Sequence, residues 1–330
     1  MERVLLTGGA GFIGSHLTER LLRDGLDVVV VDNLDPYYDV RLKRKNLEAV
    51  ELASREEGAG AYTYVDADVT DLPALRSIIE EHRPQAVFHE AAQAGVRASV
   101  EDPYKPNNVN VVGTLNVLVA SRDAGVERVI NASSSSVYGT VAYLPFDEVH
   151  PTVPVSPYGV SKLAAEHYCR VFHEVYGIPT VSLRYFTVYG PRMRPDLAVP
   201  RFSKRLMRGM PPVIFGDGEQ TRDYTFIDDI VEANARLLDP RVELTGQSLN
   251  VGSSRRISIN ELVEVLGDLI GSEAEPVHED RAVGDARDTW ASIDEARRLI
   301  GYEPSTTLED GLTAFLEWFR ADPEAQELTL

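Results

Sequence analysis

The stretch Val4-Leu5-Leu6-Thr7-Gly8-Gly9-Ala10-Gly11-Phe12-Ile13-Gly14 constrains the fold of this chain more than any other. A short apolar run breaks into glycines and resumes at Leu17, Leu21 and Leu22 with helical spacing, so it reads as strand, tight loop and helix. In such a unit Gly8 makes the turn, Gly11 lets the backbone approach a pyrophosphate, and Gly14 lets the helix pack close to the strand. The helix N-terminus then offers free N–H groups and a positive dipole end to phosphates. Glycine triplets also serve plain turns, so context decides. Here a second apolar run, 28–31, ends at Asp32, roughly twenty residues past the loop, where an acid accepts hydrogen bonds from an adenosine ribose. An acid at that place repels a 2′-phosphate, and NAD is expected rather than NADP.

Further strand-like runs at 62–65, 86–89, 129–133 and 180–186 alternate with helical spacing at 40–53, 72–82, 107–124 and 158–176. That alternation predicts an α/β fold, a Rossmann-type doubly wound parallel sheet. Beyond about residue 190 the alternation loosens into Pro- and Arg-rich loops, with helices expected near 201–208, 227–238 and 259–270. The expected division is a dinucleotide-binding domain over 1–189 and a smaller C-terminal α/β substrate domain over 190–330, interleaved with the first and lending strands to its sheet. The polar tail from Asp322 is expected to be disordered.

With 330 residues and 43% apolar content the chain can bury a core of that size. A formal charge of −19 argues against nucleic acid as a partner and requires any anionic ligand to be met by local cations. Lysine occurs only at 43, 45, 105, 162 and 204, so arginine carries most of the positive charge. No run approaches the roughly 20 apolar residues of a membrane span, and the start is too short for a signal peptide, so a cytoplasmic location is expected. The single Cys169 can form neither an internal disulfide nor a Cys-x-x-Cys metal site, and no metal is expected.

Tyr158 and Lys162 stand four apart, on one face of an expected helix. A phenol titrates near 10 in water, but a neighbouring ammonium and an oxidised nicotinamide both favour phenolate, which can serve as a base at neutral pH. The pairing is common on surface helices, and what sharpens it is Asn131-Ala132-Ser133-Ser134-Ser135-Ser136-Val137-Tyr138-Gly139 upstream. A hydroxyl-rich loop at the end of the fifth strand sits beside the same pocket and can donate to a substrate oxygen.

Together, Thr7 to Gly14, Asp32-Asn33, Asp68-Val69, the Ser134 loop and Tyr158-x-x-x-Lys162 resemble the extended short-chain dehydrogenase/reductase family of nucleotide-sugar epimerases and dehydratases. The resemblance runs from Val4 to about Phe319. It implies a tightly held NAD, with Tyr158 as base, Lys162 on the nicotinamide ribose and Ser134 on the sugar's 4-oxygen. It places Gly8, Gly11, Phe12, Ile13, Gly14, Asp32, Asn33, Asp68, Val69, Ala91, Ala92, Gln93 and Asn110 along the cofactor. Phe215 to Tyr224 resembles the family's uridine and diphosphate segment, with Phe215 in it and Arg222 as the diphosphate clamp. Arg281, ahead of Gly284-Asp285, is a second candidate of that kind.

Dehydratases and decarboxylases of this family resemble one another in an acidic residue after the active-site hydroxyl; here Ser135 and Ser136 fill those places. The chemistry is then expected to stop at oxidation and re-reduction of C4. The segments 91–97 and 37–44 look most like UDP-glucuronate 4-epimerases, and Thr187 stands where UDP-glucose 4-epimerases usually carry Asn. Ser135, Ser136 and Thr187 would then face the C5 carboxylate, with Arg194 completing that site or binding the diphosphate. The alternatives are a UDP-glucose/UDP-galactose 4-epimerase, a nucleotide-sugar dehydratase, or a non-catalytic NAD-binding sensor. The family resemblance also implies a homodimer through the helices at 107–124 and 158–176.

Overall fold

The six expected strands all form and pair in parallel. The structure, a computed structural model, describes residues 1–280 and 286–329. Its first half runs β1 (Arg3–Thr7), α1 (Phe12–Arg23), β2 (Asp27–Asp32), α2 (Val40–Ala53), β3 (Tyr62–Asp66), α3 (Leu72–His82) and β4 (Ala86–His89). Two short helices, α4 (Val96–Glu101) and α5 (Tyr104–Pro106), and a π-helical turn at Asn107–Val112 lead into α6 (Gly113–Ala124). Next come β5 (Arg128–Ser134), α7 (Pro157–Tyr176) and β6 (Thr180–Tyr185). The remainder is β7 (Thr187–Tyr189), α8 (Ala198–Met207), β8 (Val213–Phe215), β9 (Thr221–Arg222), β10 (Tyr224–Phe226), α9 (Ile227–Arg236) and β11 (Gln247–Val251). It ends with β12 (Ile257–Ser258), α10 (Ile259–Ile270), β13 (Val277–Glu279), α11 (Asp294–Ile300), α12 (Leu308–Ala321) and α13 (Pro323–Leu328).

The main sheet has seven strands in the order β11-β6-β5-β4-β1-β2-β3. The strand order reverses between β1 and β4, which opens a crevice at the carboxyl ends of the strands. Val4, Leu6, Val28, Val30, Phe88 and Ile130 turn to one face, whereas Leu5, Val29, Val31, Val87 and Val129 turn to the other. Both faces are covered, which explains why the strands read as unbroken apolar runs instead of alternating ones. Leu17, Leu21 and Leu22 carry α1 onto the first face with no residual exposure, each contributing about 1.5–3 kcal/mol by burial.

Helix boundaries follow local chemistry. Ser156 accepts the Gly159 N–H at 3.1 Å and Pro157 opens α7, while Gly177, at φ 71°, ends it. α10 has a full capping box, Ser258 with Glu261, and stops at Gly271. The expected helix over 107–124 is instead a π-helical turn followed by α6, so its first six residues are wound wider than an α-helix. The tail is a correction. Asp322 accepts the Ala325 N–H at 3.0 Å, Gln326 donates to the Phe319 carbonyl at 2.7 Å and Lys45 pairs with Asp322 at 2.8 Å, so 323–328 is helical and docked, not disordered.

After β6 the chain leaves the sheet and returns once. β11 pairs with β6, while β7–β10, β9–β12 and β8–β13 make three two-stranded ribbons beside the crevice mouth. No helix among the described residues is long and apolar enough to cross a membrane.

Candidate active site

Two adjoining cavities occupy the crevice. The deeper one, about 360 Å³, is lined by Gly8, Gly11, Phe12, Ile13, Gly14, Asp32, Asn33, Asp68, Val69, Ala91, Ala92 and Gln93, and ends at Ser134, Tyr158 and Lys162. Gly8 sits at φ +76°, and a Cβ there would lie 2.6 Å from the Ala91 nitrogen; one on Gly14 would run into the Gly8 carbonyl oxygen. The loop is therefore held against both the following helix and the β4 edge. Gly11 caps α1 without a side-chain hydrogen bond, so the first-turn N–H groups are left to a ligand in the cavity.

Asp32 ends β2 and accepts from Leu34 N–H at 2.8 Å and Ala10 N–H at 3.1 Å. Lys43, which the sequence reading did not assign, lies 3.6 Å away and is as buried as the aspartate. Asp68 accepts from the Thr70 N–H and hydroxyl, both at 2.7 Å, and from Asn33 at 2.9 Å. Burial alone would raise its pKa, but those three hydrogen bonds hold it below the usual value. Asn110 departs from expectation. It is 1% exposed and stands behind the wall: its side chain accepts from Gln93 N–H at 2.7 Å and donates to Gln93 O and Ser161 Oγ, so it positions the Gln93 backbone and does not line the cavity. The π-helical turn brings Asn110 inward to make those bonds.

Tyr158 enters from the first turn of α7, with its N–H fixed to Ser99 Oγ at 3.1 Å. Its phenol and the Ser134 hydroxyl line both cavities where they meet. Burial raises the phenol's pKa above its ordinary value, Glu90 adds to this, and the nearby Ser134 hydroxyl and the Arg194 charge oppose it. Lys162 points past the phenol to the Ala132 carbonyl at 2.7 Å, and burial lowers its pKa to about 8.

The outer cavity, about 420 Å³, is lined by Ser134, Ser135, Ser136, Thr187, Arg194, Phe215 and Arg222. Tyr37, Ser134, Tyr158, Thr187 and Arg194 line both cavities and mark where they meet. Arg194 is clamped on Asp196 at 3.0 and 2.9 Å, and that carboxylate keeps it firmly protonated in spite of its burial. Arg222 donates to the Thr221 and Arg287 carbonyls at 2.8 and 2.9 Å. Two cations unassigned from sequence join it. Arg97 stacks 4.3 Å from the Phe215 ring centre and Arg201 lies 6.0 Å from the same ring. Burial lowers the Arg201 pKa and repulsion from Arg97 lowers it further, against the carboxylates of Asp196 and Glu279. The signal for Arg97 was its place just after the small residues at the end of β4; Arg201 is readable only once α8 is folded. Arg281 lies outside the described residues. Among those described, no cluster of His, Cys, Asp and Glu could hold a metal ion.

Residues 4–252 match the NAD dependent epimerase/dehydratase family. The chain is 39% identical over 325 residues to a UDP-glucuronate 4-epimerase of Thermodesulfobacterium geofontis, covering 98% of each sequence. It is 38% identical over 322 residues to a UDP-glucose 4-epimerase of Mycolicibacterium smegmatis, covering 96% of this chain and 98% of that protein. The crystal structure of UDP-glucuronic acid 4-epimerase from Bacillus cereus in complex with UDP-glucuronic acid and NAD superposes with a TM-score of 0.89 at 35% identity, over 97% of this chain and 99% of that one. A glycine loop at the switch point, an acid after β2 and a Ser134–Tyr158–Lys162 cluster fit that likeness, and the chain belongs to the NAD dependent epimerase/dehydratase family.

Proposed function

We propose that this chain is an NAD-dependent 4-epimerase of a UDP-sugar, with UDP-glucuronate as its substrate and UDP-galacturonate as its product. The observation that carries the choice is the wall of the outer cavity, where Ser134, Ser135, Ser136 and Thr187 present hydroxyls beside Arg194. A dehydratase needs an acid beside Ser134, and Ser135 and Ser136 occupy those positions.

When bound, NAD supplies the acceptor, and then the donor, of the C4 hydride, so none is consumed. Tyr158 takes the proton of the 4-hydroxyl and later returns it. Ser134, which lines the same junction as the phenol, donates to the 4-oxygen as charge develops there. Lys162 adds a positive charge at the same end and is placed to hold the nicotinamide ribose. Arg222, with Phe215 beside it, grips the uridine diphosphate, while the C4 ketone turns over to present its other face. We assign cofactor binding to 1–189 and nucleotide-sugar binding to 190–330, with β11 interleaved.

A C4 ketone makes the C5 carboxylate part of a β-keto acid, which loses CO₂ when its C–CO₂ bond stands perpendicular to the carbonyl plane. Hydroxyls at Ser135, Ser136 and Thr187, with Arg194, hold the carboxylate out of that alignment. Thr187→Ala or Ser135→Ala is expected to slow epimerisation and to release UDP-4-keto-pentose detectable by mass spectrometry. Variants that leak no CO₂ and turn over at the wild-type rate would remove this carboxylate site. The activity itself is tested by offering UDP-glucuronate, UDP-glucose and dTDP-glucose separately and identifying products by mass and NMR. A higher kcat/KM for UDP-glucose would move the assignment to the neutral hexose, and no turnover would leave a sensor.

The proposed site needs a nucleotide sugar and NAD, both of which the cytoplasm supplies. Homodimerisation is supported by α7, where Val160, Tyr168, Val171 and Val175 stay 36–65% exposed along one side of the helix. Light scattering at micromolar concentration should give twice the 36.5 kDa chain mass, and a monomeric mass would remove the dimer.

A further inference from the structure

The reaction above leaves the carboxyl group of Glu90 without a task. Glu90 follows β4 at the carboxyl edge of the sheet and lines the cofactor cavity beside Ser133, Tyr158 and Lys162. Its Oε1 accepts the Tyr185 hydroxyl at 2.7 Å, and that oxygen in turn accepts Asn234 Nδ2 of α9 at 2.8 Å. Among the described residues no hydrogen bond reaches Oε2. The groups facing Glu90 are Tyr158 and Lys162 from α7, Tyr185 from β6 and the neutral Asn234 from α9; the neighbouring His89 turns the other way, to Thr7 and Thr114.

We propose that Glu90 sets the redox balance of the bound nicotinamide, its carboxylate stabilising the oxidised, cationic ring over the neutral reduced one. This rests on the reading above, in which Tyr158 and Lys162 mark the nicotinamide end of the cavity. When the C4–H bond breaks, its two electrons pass to the ring, whose positive charge disappears, while the hydroxyl proton goes to Tyr158. A fixed negative charge near a cation that vanishes on reduction favours the oxidised side, and does so more strongly where water is excluded. The hydride is thereby pushed back to the sugar, which keeps the keto form short-lived. Burial raises Glu90 to about 7, against its bond from Tyr185 and the charge of Lys162, so the carboxylate is gained and lost across neutral pH.

The test equilibrates the holoenzyme with NAD/NADH mixtures of set ratio, removes free nucleotide, and reads the bound ratio by absorbance of the reduced ring. At pH 8, Glu90→Gln is expected to shift the bound ratio toward NADH about tenfold, which is ~30 mV for a two-electron couple. Glu90→Asp should restore most of the difference. In the wild type the ratio should move toward NADH as pH falls through about 7, and in Glu90→Gln that step should be lost, leaving only the change centred near 8 where Lys162 titrates. A Gln variant within about twofold of wild type at pH 8, or a wild-type ratio level from about pH 6 to 8.5, would overturn the proposal. If Glu90→Gln does not fold, Glu90→Asp decides the matter, since it keeps the step near 7 apart from the Lys162 step near 8. No sugar is present in the measurement, so an error in the substrate assignment would leave its outcome unchanged.

Discussion

Tyr158→Phe is expected to lower kcat about 100- to 10,000-fold while NAD stays bound, because the substitution removes one oxygen and leaves the ring in place. The phenol stands beside Ser134 at the junction of the two cavities. The other acids nearby have different commitments: Asp196 is clamped on Arg194 and Glu90 is bonded to Tyr185. Neither is placed to take the 4-hydroxyl proton. The measurement is single-turnover conversion of UDP-glucuronate, with bound NAD quantified after release from the purified variant. A variant retaining more than a few per cent of wild-type turnover would show that another base operates. Loss of NAD along with activity would show that the hydroxyl holds the cofactor, and the assignment as base would fail.

Glu166→Ala is expected to cost about 3–5 kcal/mol of folding stability, because it strands a buried guanidinium. Glu166 and Arg184 are 5% exposed each and pair at 2.8 Å between α7 and β6. The carboxylate also accepts Ser133 Oγ at 2.5 Å, Arg184 Nε at 3.0 Å and Ser248 Oγ at 3.1 Å. Arg184 reaches the Tyr138 hydroxyl at 2.9 Å, which donates to Asn250 at 2.6 Å, so one network ties β5, β6, α7 and β11. Lys162 stands one turn before Glu166, and Ser133 immediately before Ser134, so the network also fixes the reacting groups. Urea unfolding should show the loss as a lowered midpoint. Adding Arg184→Met to a Glu166→Met variant should recover much of it, since breaking a buried pair costs more than replacing both partners. A loss under about 1 kcal/mol for Glu166→Ala would mean that water reaches Arg184.

Local patterns were legible wherever one element sufficed. The glycine loop, the apolar strands and the spacing of Tyr158 and Lys162 each depend on neighbours in sequence, and each forms as expected. Features that depend on two distant segments were not. Lys43 pairs with Asp32 only because α2 folds back over β2, and Arg201 meets Phe215 only after α8 packs. Asn110 was placed on the cofactor, yet the π-helical turn directs it to the Gln93 backbone. Tyr158 and Lys162 share a face, but the ammonium is taken by Ala132, a partner that no spacing rule specifies. The tail looked disordered from its polarity, and its order comes from Asp322 meeting Lys45 across 277 residues of chain.

The loop between β2 and α2 has one more consequence. It is pinned at three places, by Asn33 on Asp68, Asp35 on Lys105 at 3.0 Å, and Tyr37 on Asp196 at 3.4 Å. Tyr37 lines both cavities, and the Arg194 guanidinium lies 5.4 Å from its ring centre. The roof over the inner chamber is thus one piece with the floor of the outer one. One loop therefore walls both chambers, so a displacement that reshapes the inner chamber reshapes the outer one with it.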